Sequence, residues 1–137
     1  MKAIADTGFL VAFANRDDRY HAWAVGLAKQ ITEPLLTCEA VLAETAFHLR
    51  NSDLTLAMVR EGLVTVSFAC AEHIEQLAAL ARRFADRNPD LADLCLIRMS
   101  ELNPRHTVFT VDREDFRVYR RNKRERISFV SPPERRP

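Results

Sequence analysis

Short apolar segments alternate with helical segments along this chain, and this alternation limits most strongly what the chain can fold into. The apolar stretches predict buried strands at residues 2–5, 35–37, 63–69 and 107–111, with a last strand at 127–130. The intervening segments predict helices over 9–15, 20–31, 38–50, 53–61, 71–86 and 90–102. This order predicts an α/β layer fold with a mainly parallel central sheet.

Composition indicates a single globular domain over residues 1–137. With 47% hydrophobic residues, a chain of 137 residues buries a core without disulfides or structural metal. The net charge of +1 argues against capture of nucleic acid or membrane by the whole surface. No apolar run approaches the ~20 residues of a membrane helix, and Asp6 interrupts the first apolar run too early for a signal peptide.

The cysteine pattern also bears on where the protein works. Cys38, Cys70 and Cys95 are far apart in sequence and form neither a disulfide framework nor a zinc-binding spacing. Their apolar surroundings predict buried, reduced thiols. We therefore expect a cytoplasmic protein that has no membrane partner.

Four acidic residues occupy positions where charge is unexpected. Asp6 follows the first strand and Asp112 follows the strand at 107–111, so parallel pairing would bring both carboxylates to one crevice. Asp93 lies in a helix that is apolar on nearly every side, and Glu44 lies in another largely apolar helix. An ionised carboxylate in such surroundings is costly unless it is paired or binds metal.

Each of these acids also has a purely structural explanation. Asp6 and Asp112 suit turns, Glu44 suits a solvent-facing position, and Asp90 with Asp93 has the spacing of a helix-capping pair. Together, however, the four acids Asp6, Glu44, Asp93 and Asp112 favour a shared cation site. Carboxylates without histidine or cysteine ligands suit Mg²⁺ or Mn²⁺, and this chemistry indicates phosphodiester or phosphoryl hydrolysis.

A basic segment at 117–126 carries six arginines or lysines against one acid, Glu125. Two interpretations stay open for it. It is either a solvated and partly disordered face, or a local phosphate-binding patch.

Four motifs in this order resemble those of the PIN-domain ribonucleases, most closely the VapC-type toxins of bacterial toxin–antitoxin pairs. The motifs are Asp6-Thr7-Gly8-Phe9-Leu10, Glu44 in an early helix, Leu91-Ala92-Asp93, and Thr110-Val111-Asp112-Arg113-Glu114-Asp115-Phe116. The first and last are the more specific ones. The resemblance covers essentially the whole chain.

The resemblance implies a PIN-like three-layer α/β/α sandwich with an acidic metal site. Its acidic quartet around Mg²⁺ or Mn²⁺ matches Asp6, Glu44, Asp93 and Asp112. Of these, Asp6 and Asp93 match the direct metal ligands. Assisting groups beside the site match Thr7, Asp90, Thr110 and Asp115. For the two extra acids, Asp90 and Asp115, assistance through water and simple helix capping remain alternatives.

The activity that the resemblance implies is metal-dependent endoribonuclease cleavage of single-stranded RNA or tRNA. It also implies a homodimer that a cognate antitoxin inhibits by docking over the active-site side. Arginines outside the pocket are predicted to contact RNA phosphates, namely Arg113, Arg117, Arg120 and Arg121. The alternative is a PIN-like RNA- or protein-binding module with weak or no nuclease activity.

Overall fold

A sheet of five parallel strands forms the centre of the fold in the computed structural model, which describes residues 1–133. The strands lie in the order β3-β2-β1-β4-β7. Their bounds are β1 Ala3–Ala5, β2 Leu35–Cys38, β3 Val64–Phe68, β4 Thr107–Phe109 and β7 Phe129–Val130. The α/β class and the parallel sheet predicted from the sequence are confirmed.

Seven α-helices within the described residues flank this sheet. They are α1 Thr7–Ala14, α2 His21–Ala28, α3 Glu39–Leu49, α4 Ser52–Arg60, α5 Ile74–Arg83, α6 Leu91–Leu102 and α7 Arg113–Val118. Helix α1 packs against α2 and α3, and α6 packs against α3 and α5. The apolar character of α6 on nearly every side is explained by its burial, since seven of its residues are buried.

The strand register sets the position of the acidic residues. Strand β1 is fully buried and pairs with β4, with Ala5 opposite Phe109. The residues that follow the two strands therefore lie side by side at one edge of the sheet. The predicted strand at 107–111 is two residues too long, because the chain leaves the ladder after Phe109 and Asp112 caps α7.

Several predicted helix boundaries are also corrected, and α2 ends at Ala28 rather than at residue 31. Helix α1 begins at Thr7 rather than at residue 9, because the Asp6 side chain accepts the Thr7 N–H and caps the helix. The helix predicted over 71–86 is divided into a 3₁₀ turn at Cys70–His73, helix α5, and a second 3₁₀ turn at Ala85–Arg87.

The basic segment at 117–126 is folded rather than loose. It comprises the end of α7 and an antiparallel hairpin of β5 Arg120–Arg121 and β6 Glu125–Arg126. The Arg121 side chain is buried, donates to the Ser100 and Pro104 carbonyls, and pairs with Glu125 at 2.7 Å. Arg121 thus connects the hairpin to the end of α6, and both terminal nitrogens of its guanidinium are hydrogen-bonded within the protein.

The three cysteines are free thiols, as predicted, but they are closer together than their sequence spacing indicates. Cys38 and Cys95 are buried, whereas Cys70 is half-buried, which corrects the prediction for Cys70. Hydrogen bonding with the Cys38 thiol, burial and the proximity of Cys70 raise the pKa of Cys95. Over the described part of the chain, no helix is both long enough and apolar enough to cross a membrane.

Candidate active site

A cavity of about 640 Å³ opens where β1 and β4 end, and carboxylates dominate its lining. Within residues 1–133, seven acidic side chains line it: Asp6, Asp18, Glu44, Asp90, Asp93, Asp112 and Asp115. All four members of the predicted quartet are among them. The sheet order explains this convergence, since the neighbouring strands β1 and β4 deliver Asp6 and Asp112 to the same edge.

Asp6 is the most deeply buried of the quartet, with 7% of its surface exposed. Its Oδ1 accepts the Thr7 N–H at 2.7 Å, and its Oδ2 accepts the Thr110 hydroxyl at 2.6 Å. Burial raises the pKa of Asp6 to about 6, and the charges of Asp112 and Glu44 add to this, although both hydrogen bonds oppose it. The two hydrogen bonds thus fix the position of the Asp6 carboxylate, but they do not fully compensate for the cost of burying its negative charge.

Glu44 reaches the same cavity from α3. Its Oε2 accepts the Thr7 hydroxyl at 3.0 Å, so Thr7 bonds to Asp6 through its backbone and to Glu44 through its side chain. Burial raises the pKa of Glu44, the Thr7 hydrogen bond opposes that rise, and the negative charge of Asp90 reinforces it. Thr7 therefore fixes the distance between two members of the quartet.

Asp93 lies in the first turn of α6, where the Asp90 side chain accepts its N–H at 2.8 Å and caps the helix. The buried Tyr119 donates its hydroxyl to Asp93 Oδ2 at 3.0 Å. Burial, followed by the charges of Asp90 and Asp6, raises the pKa of Asp93 to about 7. A carboxyl group with such a pKa gains strongly from a nearby cation.

Asp112 and Asp115 approach from the start of α7. Asp112 N–H donates to the Thr110 hydroxyl oxygen at 3.0 Å, and Asp112 Oδ1 accepts the Asp115 N–H at 3.2 Å. Burial first, and then the side chain of Asp115, raise the pKa of Asp112. The guanidinium of Arg87 donates twice to Asp115 Oδ1, at 2.9 and 3.1 Å, and fixes that carboxylate.

Asp93, Asp112 and Asp115 form the tightest acidic cluster among the described residues. One carboxylate oxygen from each lies within 4.8 Å of the others. An all-oxygen donor set of this kind fits a hard divalent cation. The raised pKa values of Asp93 and Asp112 are consistent with that fit, since burial first and neighbouring acidic groups second disfavour the ionised carboxylates, and a cation would favour them.

The predicted assisting residues all lie at this site. Thr7, Asp90 and Asp115 line the cavity, and Thr110 lies just beneath it through its bond to Asp6. Asp90 caps α6, whereas Asp115 caps no helix and belongs to the acidic cluster. The division of these acids into metal ligands and supporting groups stays a prediction, and so does the assignment of Asp6 and Asp93 as direct ligands.

The four arginines predicted to bind RNA lie outside the cavity lining. Arg113 donates to Ser131 and to the Pro132 carbonyl, and Arg120 donates to carbonyls at the end of α7. Arg117 is exposed, and Arg121 is buried. RNA contact by Arg113, Arg117 and Arg120 stays a prediction, whereas burial of Arg121 argues against such a role for it.

Sequence reasoning missed several residues that shape the site. Tyr119 was missed because it lies within the basic segment. Its spacing of three residues from Phe116 does indicate an apolar helix face, and both residues are fully buried. Arg87 gave no signal because its partner Asp115 lies 28 residues away. Arg19, Tyr20, His48 and Asn88 also line the cavity and come from loops or exposed helix positions.

Gly8 and Val111 both line the cavity and approach each other closely. A Cβ added at Gly8 would overlap the Val111 Cγ2 methyl, which lies next to Thr110 and Asp112. We expect Gly8→Ala to lower the free energy of unfolding by about 1–3 kcal/mol, because the overlap outweighs the better helix propensity of alanine. Urea denaturation would measure this change.

Gly26 provides a matched control on α2. A Cβ at Gly26 meets nothing within 4 Å, so Gly26→Ala should leave stability unchanged or raise it by up to about 1 kcal/mol. Adding Val111→Ala to Gly8→Ala should recover part of the loss. Equal stability of Gly8→Ala and Gly26→Ala would contradict the close contact between Gly8 and Val111.

Comparison with known proteins identifies the family. The model of the PIN domain matches residues 3–122, and the chain belongs to the PIN-domain family. This is a family of nucleases that generally use divalent metal ions. The family resemblance predicted from the sequence motifs is thereby confirmed.

Among solved structures, the chain is similar to VapC20 of Mycobacterium tuberculosis, described as a toxin that cleaves the sarcin–ricin loop. The two chains are 21% identical, with a TM-score of 0.68, over 78% of this chain and 87% of VapC20. This similarity establishes a shared fold. No curated protein sequence matches the chain.

Proposed function

We propose that this protein is a Mg²⁺- or Mn²⁺-dependent endoribonuclease of the VapC type. The observation that carries the proposal is the cluster of Asp93, Asp112 and Asp115, with Asp6 and Glu44 in the same cavity. Membership of the PIN-domain family supports nuclease chemistry, and the shared fold with VapC20 supports the toxin assignment.

The acidic residues of the site would hold the ion and position the attacking water. Asp93, Asp112 and Asp115 offer the oxygens that lie close enough together to share one cation. A bound divalent cation would stabilise the negative charge that develops on the scissile phosphate during hydrolysis. Glu44 and Asp6, which are fixed by Thr7, face the same space and can accept a hydrogen bond from water there.

Three further residues keep these carboxylates in place. Tyr119 orients Asp93, Arg87 orients Asp115, and Thr110 connects Asp6 with the backbone of Asp112. Each is a positioning residue, since its hydrogen bond ends on an acidic residue or its backbone rather than in the open cavity. Such supporting bonds commonly determine how precisely a metal site is arranged.

The partners expected of a VapC-type toxin are part of the same proposal. We expect an RNA substrate, a cognate antitoxin protein and a homodimeric, cytoplasmic protein. The fold shared with VapC20 supports the kind of partner.

RNA cleavage mapping with and without divalent metal tests the proposed activity. Purified protein should cleave RNA endonucleolytically with Mg²⁺ or Mn²⁺, and excess EDTA should abolish cleavage because the acidic cluster then loses its cation. Re-addition of Mn²⁺ after chelation should restore the same cleavage sites. Tight RNA binding without cleavage under all metal conditions would instead identify a binding module.

A further inference from the structure

The mouth of the acidic cavity poses an electrostatic problem for an RNA substrate. Seven carboxylates line the cavity, and RNA carries a negative charge at every phosphate. Among the described residues that line it, only Arg19 carries the permanent positive charge of a guanidinium. A phosphate neighbouring the scissile one therefore has one favoured partner at this rim.

Arg19 is held beside an aromatic ring. Its guanidinium carbon lies 4.7 Å from the centre of the Tyr20 ring, and both side chains line the cavity. Arginine and aromatic planes are the two surfaces on which proteins stack unpaired RNA bases. The pair thus combines a phosphate partner with a stacking surface.

The loop that carries this pair is well fixed. The Tyr20 ring packs edge-on against Trp23, which packs edge-on against the fully buried Phe9. The Asp18 side chain accepts the Tyr20 N–H at 2.8 Å, and the Asp18 carbonyl accepts the His21 N–H at 3.0 Å. A stacking surface anchored to the core binds a base with little loss of conformational entropy.

We propose that Arg19 and Tyr20 form a nucleotide-binding subsite for single-stranded RNA at the rim of the active site. Arg19 contacts a phosphate that flanks the scissile bond, and Tyr20 supports the base of the flanking nucleotide. This inference rests on the proposed ribonuclease function and adds that the substrate strand is unpaired at this nucleotide, because a base within a duplex cannot stack on a side chain.

The test measures binding of a fluorescent single-stranded RNA oligonucleotide of mixed sequence by anisotropy. An Asp6→Asn background with Mg²⁺ keeps the RNA intact. Arg19→Gln should weaken binding and reduce the slope of log K against log salt by about 0.7, the value for one lost phosphate contact on a single strand. Arg16→Gln is the matched control, since Arg16 lies in the same exposed loop but does not line the cavity.

Tyr20 is tested by two variants that separate stacking from packing. Tyr20→Leu keeps apolar contact with Trp23 but loses the aromatic face, and should weaken binding about five- to a hundredfold. Tyr20→Phe keeps the ring and should bind like the parent. The same RNA annealed into a duplex should bind the parent more weakly than the single strand and should be insensitive to Tyr20→Leu.

The outcomes separate this inference from the function on which it rests. The subsite proposal is wrong if Arg19→Gln has the same salt slope as the Arg16→Gln control and Tyr20→Leu binds RNA normally. The ribonuclease proposal still holds in that case, provided that the wild type cleaves RNA with Mn²⁺. If those variants keep RNA binding but lose binding to the antitoxin, the rim is a protein-docking surface instead. If the wild type neither binds nor cleaves RNA, both the function and the subsite fail.

Discussion

Asp6→Asn is expected to lower the rate of metal-dependent RNA cleavage by at least about a hundredfold while the protein remains folded. The Asp6 carboxylate accepts both of its hydrogen bonds, one from the Thr7 N–H and one from the Thr110 hydroxyl. The Thr110 oxygen already accepts the Asp112 N–H, so its own proton is directed at Asp6. In Asp6→Asn, an amide NH₂ facing Thr110 cannot accept the Thr110 hydroxyl proton, so that hydrogen bond is lost. The substitution also removes a negative charge from the cavity.

The matched control for this variant is Asp17→Asn. Asp17 is exposed in the loop before α2 and does not line the cavity, so its loss should leave cleavage unchanged. Single-turnover cleavage with saturating Mn²⁺ separates a defect in chemistry from weaker metal binding. Wild-type cleavage by purified Asp6→Asn would refute the metal-site proposal.

The metal-free protein should lose stability as pH rises from about 4 to about 7. Asp6 and Asp93 have pKa values raised from 3.8 to about 6 and about 7, so the folded state keeps protons that the unfolded state has released. Stability from these groups is therefore complete below pH 4 and lost as pH passes through the folded values. The effect is on the order of 3 kcal/mol for the buried Asp6, and solvent screening reduces the contribution of the partly exposed Asp93 below what its shift alone implies.

Urea denaturation in EDTA at pH 4, 5.5 and 7 measures this loss. Asp93→Asn should flatten the profile, because the amide carries no charge and its oxygen can still accept the Tyr119 hydroxyl. Asp17→Asn should follow the wild type, and added Mg²⁺ should restore stability at pH 7 by binding the folded state. Parallel profiles of stability against pH for the wild type and Asp93→Asn would show that ionisation of Asp93 does not destabilise the metal-free folded state.

The period of the apolar pattern predicted the strands of the central sheet and the helices up to α6, but it did not predict α7 or the hairpin of β5 and β6. Strand β1 is a short apolar run that ends at a charged residue, and such a run has few alternatives to a buried strand. Asp6 and Asp112 then follow from the rule that parallel strands present their carboxyl ends at one edge, whereas Glu44 and Asp93 were recognised as charges in largely apolar helices. Local signals fix all of these features.

Features that depend on distant contacts were not predictable in this way. In the sequence, Arg121 is one of several cations in a basic segment. In the structure it is buried and donates hydrogen bonds to the carbonyls of Ser100 and Pro104. Tyr119 orients Asp93 across 26 residues, and Arg87 reaches Asp115 across 28. No local periodicity encodes such pairs, because they exist only after the helices have packed.

The caps of three helices have a consequence for the electrostatics of the cavity. Asp6, Asp90 and Asp112 cap α1, α6 and α7, and all three line the cavity. The amino ends of these helices are therefore directed to the same space, and the longer α1 and α6 each add about half a positive charge from aligned peptide dipoles. The backbone thus offsets part of the carboxylate repulsion before any cation binds, and this positive contribution remains when a lining side chain is substituted.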